Sequence, residues 1–384
     1  MKYSLNLPSQ SKLEKKYILD VLKSNWLSSN GKHTLEFEKK FAKFLGLKFG
    51  LAVQSGTAAI HTALKAANIK DGDHVITPNY TCISNLSCIS QCKAMPVIVE
   101  IEKDTLGLDY ESVMKAVKIY KPKVLQLVHV YGYPARDTKK IISLCKKKKI
   151  IVIEDTSEAF GSTLNGQKIG TFGDINVTSI RSEKMIGVGE GGILTFKSKS
   201  LYNKAKLIAS RHAPFRRGKD PYWKKYFSNG EGYNYLMPHL LGAVARGQIE
   251  MFKNKMLKKK INVGKNYYKI FNNKDYYMTQ KILKGSKPVF WLNSIYFKNL
   301  NKNKVIKLGE LLKKNGIEVR SGFWPLNLQK GFKFKYVNGV SNFTKNLSKQ
   351  IFEKTLVLPS NINLTKNDIK YFFKIIKRLI NEQK

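Results

Sequence analysis

Short apolar runs separated by amphipathic stretches set the rhythm of the first 250 residues. Runs at 50–53, 74–77, 96–99, 124–128, 150–153 and 175–178 are four or five residues long, and several are separated by helical patterns. Strand-length runs alternating with helices predict an α/β layer structure with a largely parallel sheet. Beyond about residue 250 the rhythm changes. A long helix at 241–262, a strand-like run at 289–296 and a closing helix at 366–381 predict a smaller α+β domain. The expected division is a large α/β domain over 1–250, including the N-terminal segment, and a smaller domain over 251–384. No internal repeat or low-complexity linker interrupts it.

The chain has 384 residues, 42% of them hydrophobic, enough to bury a large core. No stretch approaches the roughly 18 consecutive apolar residues of a membrane span. The first ten residues lack the apolar centre of a signal peptide, so a cytoplasmic protein with no membrane partner is the default expectation. Cys82, Cys88, Cys92 and Cys145 form no CxxC pair and the histidines are scattered, which indicates neither a zinc site nor a disulfide framework. The 69 Lys and Arg against 27 Asp and Glu leave a formal charge of +42. Nucleic acid is the partner such a charge first suggests. The lysines are nevertheless dispersed along the whole chain, and no helix-turn-helix, zinc-finger or RNP-like signature accompanies them, so no specific nucleic-acid partner is expected. The charge could still help attract a phosphorylated substrate.

Candidate chemistry lies just after the strand runs, where α/β sheets bind ligands. After 50–53 come Gly56 and Thr57 at the start of an alanine-rich helix. A helix N-terminus suits a phosphate, and an ordinary N-cap by Ser55 or Thr57 fits equally. After 150–153 comes Asp155, a turn residue, a helix cap or a carboxylate with a cationic partner. Lys184 is followed by four glycines and a glutamate between Gly187 and Gly192, then by a strand-like run at 193–196. Glycines stand where backbone takes positive φ or passes close to a ligand. A lysine on such a turn can form an imine with an aldehyde cofactor, and a carboxylate at a strand end can keep a pyridine nitrogen protonated. Ser179, five residues upstream, could add a hydroxyl to the phosphate site.

The motifs Trp26-Leu-Ser-Ser-Asn-Gly31, Phe37-Glu-Lys-Lys-Phe41, Ser55-Gly-Thr-Ala-Ala59, Gly72-Asp-His-Val-Ile-Thr-Pro78 and Val128-His-Val-Tyr-Gly-Tyr-Pro134 occur in that order. Glu154-Asp155, Gly189-Glu-Gly-Gly192, Gly232-Tyr-Asn-Tyr235 and Leu358-Pro359 follow. With this ordered set the chain resembles the DegT family of pyridoxal-phosphate-dependent sugar-nucleotide aminotransferases, of the aspartate aminotransferase fold (fold type I). The resemblance implies pyridoxal 5'-phosphate as cofactor, Lys184 as the Schiff-base lysine that shuttles the proton, and Asp155 beside the pyridine nitrogen. It implies Gly56, Thr57 and Ser179 at the cofactor phosphate, with Asn234 reaching the phosphate of a neighbouring subunit in a homodimer. Glu158 falls where many members carry Gln near the phenolic oxygen; an acid there is similar to the perosamine-synthase subgroup. Cys82 stands where many members place an aromatic ring over the pyridine. Leu236, Pro238 and Phe160 are further departures from common family residues.

In the dehydratase branch of the same family His replaces the lysine, so Lys184 favours transamination. The implied reaction takes an amino group from glutamate and delivers it to a nucleotide-linked 4-keto-6-deoxy sugar, GDP ahead of dTDP or UDP, for surface polysaccharide such as O-antigen. Arg320, Phe323 and Trp324, followed by Phe332, resemble the segment by which perosamine-type enzymes line the sugar-nucleotide cleft; a hydrophobic inter-domain strand is the bland alternative. Trp26, His129 and Tyr131 join the expected substrate residues, with His129 equally readable as a core histidine. A 3-keto sugar nucleotide is the alternative acceptor. A polyanion-binding protein and a non-catalytic regulatory relative are the alternatives of other classes.

Overall fold

Each predicted apolar run of the first 250 residues is a strand. In the computed structural model, which describes residues 2–213, 227–271, 276–332 and 346–382, α1 (Lys12–Lys23) and α2 (Lys32–Leu45) precede β1 (Phe49–Val53) and α3 (Gly56–Ala66). Then β2 (His74–Pro78), α4 (Ser84–Gln91), β3 (Met95–Val99), α5 (Tyr110–Tyr120), β4 (Val124–Val128), α6 (Thr138–Lys147) and β5 (Ile151–Asp155) alternate. Two short pieces, β6 (Thr163–Leu164) and β7 (Gln167–Lys168), lead to β8 (Ile175–Ser179), β9 (Gly192–Phe196) and α7 (Lys199–Ala209).

The central sheet runs β1-β9-β8-β5-β4-β2-β3. Five of its strands, β8 through β3 in that order, pair in parallel, while β9 is antiparallel to both β1 and β8. Neighbouring residues feed different cores: Val124 and Ile153 pack with Ala59, Ala63 and Ala205, whereas Leu125 and Val152 pack with Val113, Ala116 and Ile141. Side chains alternate across a strand, so the sheet is covered on both faces, and this is why its strands read as continuous apolar runs.

The predicted helix at 241–262 is longer and interrupted. Helix α8 (His239–Met251) passes through a π-helical turn, Phe252–Met256, into α9 (Leu257–Ile270). Phe252 and Met256 are both buried there, with Phe252 against Phe44 and Phe160. A second sheet, β10-β12-β14-β13, is antiparallel throughout: β10 (Tyr276–Met278), β12 (Asn293–Phe297), β13 (Arg320–Ser321) and β14 (Thr355–Leu358). The short β11 (Ser286–Lys287) pairs back to β6. Of the predicted run at 289–296, the strand begins only at Asn293, because Phe290 has φ +53° and turns the chain aside.

Helix α10 (Lys302–Lys314) and the closing helix Lys366–Asn381 cover this smaller sheet. The latter begins with a capping box between Thr365 and Asp368 and buries Ile369, Phe372, Ile375, Ile376 and Leu379 along one face. Each such side chain contributes about 1.5–3 kcal/mol when fully buried.

Candidate active site

The carboxyl ends of β1, β4, β5 and β8 open onto one cavity of about 410 Å³. Gly56, Thr57, Cys82, Tyr131, Asp155, Glu158, Ser179, Lys184, Arg320 and Phe323 all line it. These ten were singled out in the sequence over a span of more than 250 positions.

The phosphate-suited corner forms where α3 starts. Ser55 caps the helix by accepting from the Ala58 N–H at 3.0 Å, and the first helical bond runs from Ala59 N–H to the Ser55 carbonyl. The N–H groups of Gly56 and Thr57 precede that bond and project from the helix end. A Cβ at Gly56 would lie 2.7 Å from Ser179 Cβ, so glycine is required for β8 to come this close. A Cβ at Gly192 would lie 2.3 Å from the Ser55 carbonyl oxygen. At that position the glycine-rich segment serves a backbone approach within the protein.

Asp155 ends β5 and is 4% exposed. Its Oδ1 accepts from Ser157 N–H at 2.9 Å and its Oδ2 from Asn85 Nδ2 at 3.2 Å. Ser157 Oγ in turn accepts from Ser179 N–H at 2.8 Å, tying the ends of β5 and β8 together. The preceding residue faces the opposite way: Glu154 accepts from Gly170, Phe172 and Gly173 N–H groups and pairs with His129 Nε2 at 3.1 Å. Burial pushes the Glu154 carboxyl up, but His129 and these backbone donors outweigh it and hold the group below its ordinary value. His129 therefore belongs to the core and does not reach the cleft. It is fully buried, and its Nδ1 accepts from Ala135 N–H at 3.0 Å.

Lys184 Nζ lies 3.7 Å from Glu158 Oε1 and 3.7 Å from the centre of the Trp291 ring. Glu158 Oε2 accepts from Tyr131 N–H at 2.8 Å. Tyr131 holds φ +53° to aim that donor, a left-handed conformation costing roughly 1–2 kcal/mol for a residue with a side chain. Burial raises the Glu158 carboxyl to about 7, against the pull of Lys184 and of the Tyr131 N–H. Near neutrality it is both a hydrogen-bond donor and an acceptor. Tyr131 and Phe323 stack at 5.2 Å, and Tyr80 meets Phe323 edge-on, giving the cavity an aromatic wall.

Other predicted positions lie elsewhere. Trp26 and Trp324 are 54% and 48% exposed and outside the cavity, each donating its indole N–H to a nearby carbonyl. Asn234 is exposed, bridges Ser210 and accepts from Arg211. Arg320 sits at the rim with Glu318 at 3.5 Å. Leu236 and Phe160 are core residues, the former paired with Val53 and the latter stacked on Phe41. Cys82 faces the cavity beside Ser84, its Sγ 3.5 Å from the hydroxyl. Sequence reasoning missed Asn85, Ser157 and Trp291. Asn85, four residues after Thr81 and bonded to it, carries no motif; Ser157 sits two residues past Asp155, where a short hydroxyl was a usable signal.

Residues 8–377 match the DegT/DnrJ/EryC1/StrS aminotransferase family. The chain belongs to that family. It is a pyridoxal-phosphate-dependent aminotransferase. It is similar to the GDP-perosamine synthase of Vibrio cholerae, with 31% identity over 377 residues, 97% of this chain and 98% of that protein. The GDP-perosamine synthase of Escherichia coli O157:H7 is 32% identical over 332 residues, 86% of each chain. Among solved structures, 3-amino-5-hydroxybenzoic acid synthase has a TM-score of 0.90 at 20% identity, covering 99% of both chains. Helicobacter pylori PseC, an aminotransferase involved in pseudoaminic acid biosynthesis, has a TM-score of 0.86 at 22% identity, covering 100% of both. These two likenesses carry the fold. The cavity of this aminotransferase suits its cofactor: a buried carboxylate, an amine beside a second acid, and a helix end kept bare by a glycine.

Proposed function

We propose that this aminotransferase moves an amino group from glutamate to a nucleotide-linked 4-keto-6-deoxy sugar, GDP-linked in first place, for a surface polysaccharide. The observation that carries this reading is the similarity of nearly the whole chain to a protein named GDP-perosamine synthase. An aromatic-walled cleft with Arg320 at its rim supports it, since a nucleoside diphosphate sugar brings both rings and negative charge.

Bound pyridoxal phosphate supplies an aldehyde carbon for an amine and a ring that takes up the electron pair released at the substrate carbon. In this reading Lys184 is the amine that holds the resting cofactor and then carries the proton in both halves of the exchange. Asp155, fixed by Asn85 and Ser157 N–H, offers a buried negative charge to the ring nitrogen. Gly56, Thr57 and Ser179 receive the phosphate at the positive end of α3. Glu158, anchored by Tyr131, faces the phenolic oxygen and sets the charge beside Lys184. Cys82 occupies the ring-facing position without a ring of its own.

Tyr131, Arg320 and Phe323 contact the sugar nucleotide, joined from outside the cavity by Trp26 and Trp324 when a second copy or a bound substrate brings them near. Asn234 serves the phosphate of that second copy, which makes a homodimer the working unit. Residues 1–250 then carry the cofactor and 251–384 close the cleft, with the helical run from α8 to α9 as connector. The test is incubation with pyridoxal phosphate, glutamate and a panel of 4-keto and 3-keto sugar nucleotides, followed by mass spectrometry. A 4-amino product is expected; amination at the 3-position refutes the acceptor, and no amination of any sugar refutes the reading.

A further inference from the structure

Helix α9 carries a lysine inside the protein. Lys260 is 1% exposed, and burial alone lowers its amine to about 7. An apolar residue would fill this position without that desolvation cost, so the hydrogen bonds the amine makes are the feature to explain. Nζ donates to the carbonyl of Ser360 and, at 3.2 Å, to Asn6 Oδ1. Asn6 Nδ2 donates in turn to the carbonyl of Glu183 at 2.5 Å. That same carbonyl accepts from Trp291 Nε1 at 2.6 Å, and the Trp291 ring lies under Lys184 Nζ.

The Glu183 carbonyl belongs to the peptide bond that leads into Lys184, and two donors use both its lone pairs. A small cavity of about 10 Å³ behind the loop touches Asn6, Lys184, Met185 and Lys260 together. The N-terminal segment is pressed onto the loop a second time at Gly187, where a Cβ would lie 2.9 Å from Pro8. The N-terminal segment and Trp291 thus meet on the backbone of a single residue, and α9 reaches it through Asn6.

We propose that Lys260 and Asn6 are positioning residues for Lys184: the relay from Nζ through the Asn6 amide to the Glu183 carbonyl fixes the peptide that aims the reactive amine. This rests on the assignment of Lys184 as the Schiff-base lysine. Neither residue lines the main cavity, so both act through the loop. Asn6 and Trp291 hold the backbone just before Lys184, and the Gly187 contact holds it just after.

The test uses the holoenzyme with Lys260→Met, Asn6→Leu and the double substitution. Lys260→Met keeps the stem volume and removes the donors; Asn6→Leu, at a half-buried surface segment, remains informative if the first variant folds poorly. Three quantities are read: the pH midpoint of the visible absorption of the lysine-bound cofactor, kcat against KM for the amino donor, and Tm. The expected result is a kcat lowered roughly tenfold to a hundredfold, the scale of a misplaced catalytic group, with KM within about twofold. The absorption midpoint moves, and the double variant is no worse than the more damaged single one, because one relay is broken twice. A fall in Tm with unchanged absorption midpoint and kcat overturns the proposal and leaves a brace between the chain ends. Defects that multiply in the double variant overturn it as well. Borohydride reduction and peptide mapping of the unaltered protein separate the two claims: no adduct at Lys184 sinks the assignment on which the relay rests.

Discussion

Replacing Glu158 by Gln isolates the ionisation of the acid beside Lys184. The folded protein holds the Glu158 proton to about pH 7, whereas its ordinary value is 4.5. Between those two values the folded state binds more protons than the unfolded one, so stability falls as pH rises through the window and the loss is complete above it. Carrying a proton from 4.5 to about 7 corresponds to on the order of 3 kcal/mol. Glutamine has the same shape and nothing to ionise. The stability gap between Glu158→Gln and the parent protein should therefore widen in the variant's favour by on the order of 3 kcal/mol from pH 4.5 to pH 7.5. The measurement is urea unfolding of cofactor-free protein at constant ionic strength in half-unit pH steps. Taking the difference between the two proteins cancels the other titrating groups, including Glu154. Lys184→Met supplies a second arm: Lys184 opposes the rise in Glu158, so its removal should lift the Glu158 value further and extend the window upward. If the gap is the same at both ends of the range, Glu158 ionises as an exposed acid does, and burial does not raise its value.

The remaining expectations concern the cofactor corner. Lys184→Ala should abolish turnover and the borohydride-trapped adduct while leaving far-UV circular dichroism unchanged; a variant with measurable kcat would remove Lys184 from its role. Asn85→Leu strips Asp155 of a donor and should weaken pyridoxal-phosphate binding by roughly tenfold to a hundredfold, the range for hydrogen bonds to charged groups, as read by fluorescence titration. Gly192→Ala forces a methyl to within 2.3 Å of the Ser55 carbonyl and should cost about 1–3 kcal/mol in urea unfolding. An unchanged midpoint would mean that the Ser55 turn yields freely and that the close backbone approach does not require glycine.

What could be read from the sequence follows from how local each signal is. The parallel strands were legible because sheets buried on both faces need uninterrupted apolar runs, and the helix 366–381 because its cap and its apolar stripe agree. Asp155, Lys184 and Gly56 were legible because chemistry at strand ends sits at a fixed offset from the run. Trp291 was not: in an apolar run at 289–296 a tryptophan reads as one more strand residue, and only the positive φ of Phe290 swings it beneath Lys184. The π-helical turn at Phe252–Met256 leaves no mark in periodicity, since one displaced hydrogen bond shifts the buried face without breaking the helix. His129 could have gone either way because its partner, Glu154, is 25 positions distant, and only the pairing of β4 with β5 brings them together. Trp26 and Trp324 came from motif likeness alone, which carries no information about whether a side chain turns toward the cavity or away from it.

The two neighbouring acids of β5 have an implication for how this chain can change over time. Glu154 is committed to the turn at 170–173 and Asp155 to the cleft, on opposite sides of one sheet. Substitutions in the strand can be absorbed one methyl group at a time, but gain or loss of a single codon between 150 and 153 would turn both carboxylates to the opposite faces. The turn would then lose its anchor in the same event that moved the carboxylate at the cleft. Length variation among descendants of this sequence should accordingly collect in the loops around β5 and spare the strand itself.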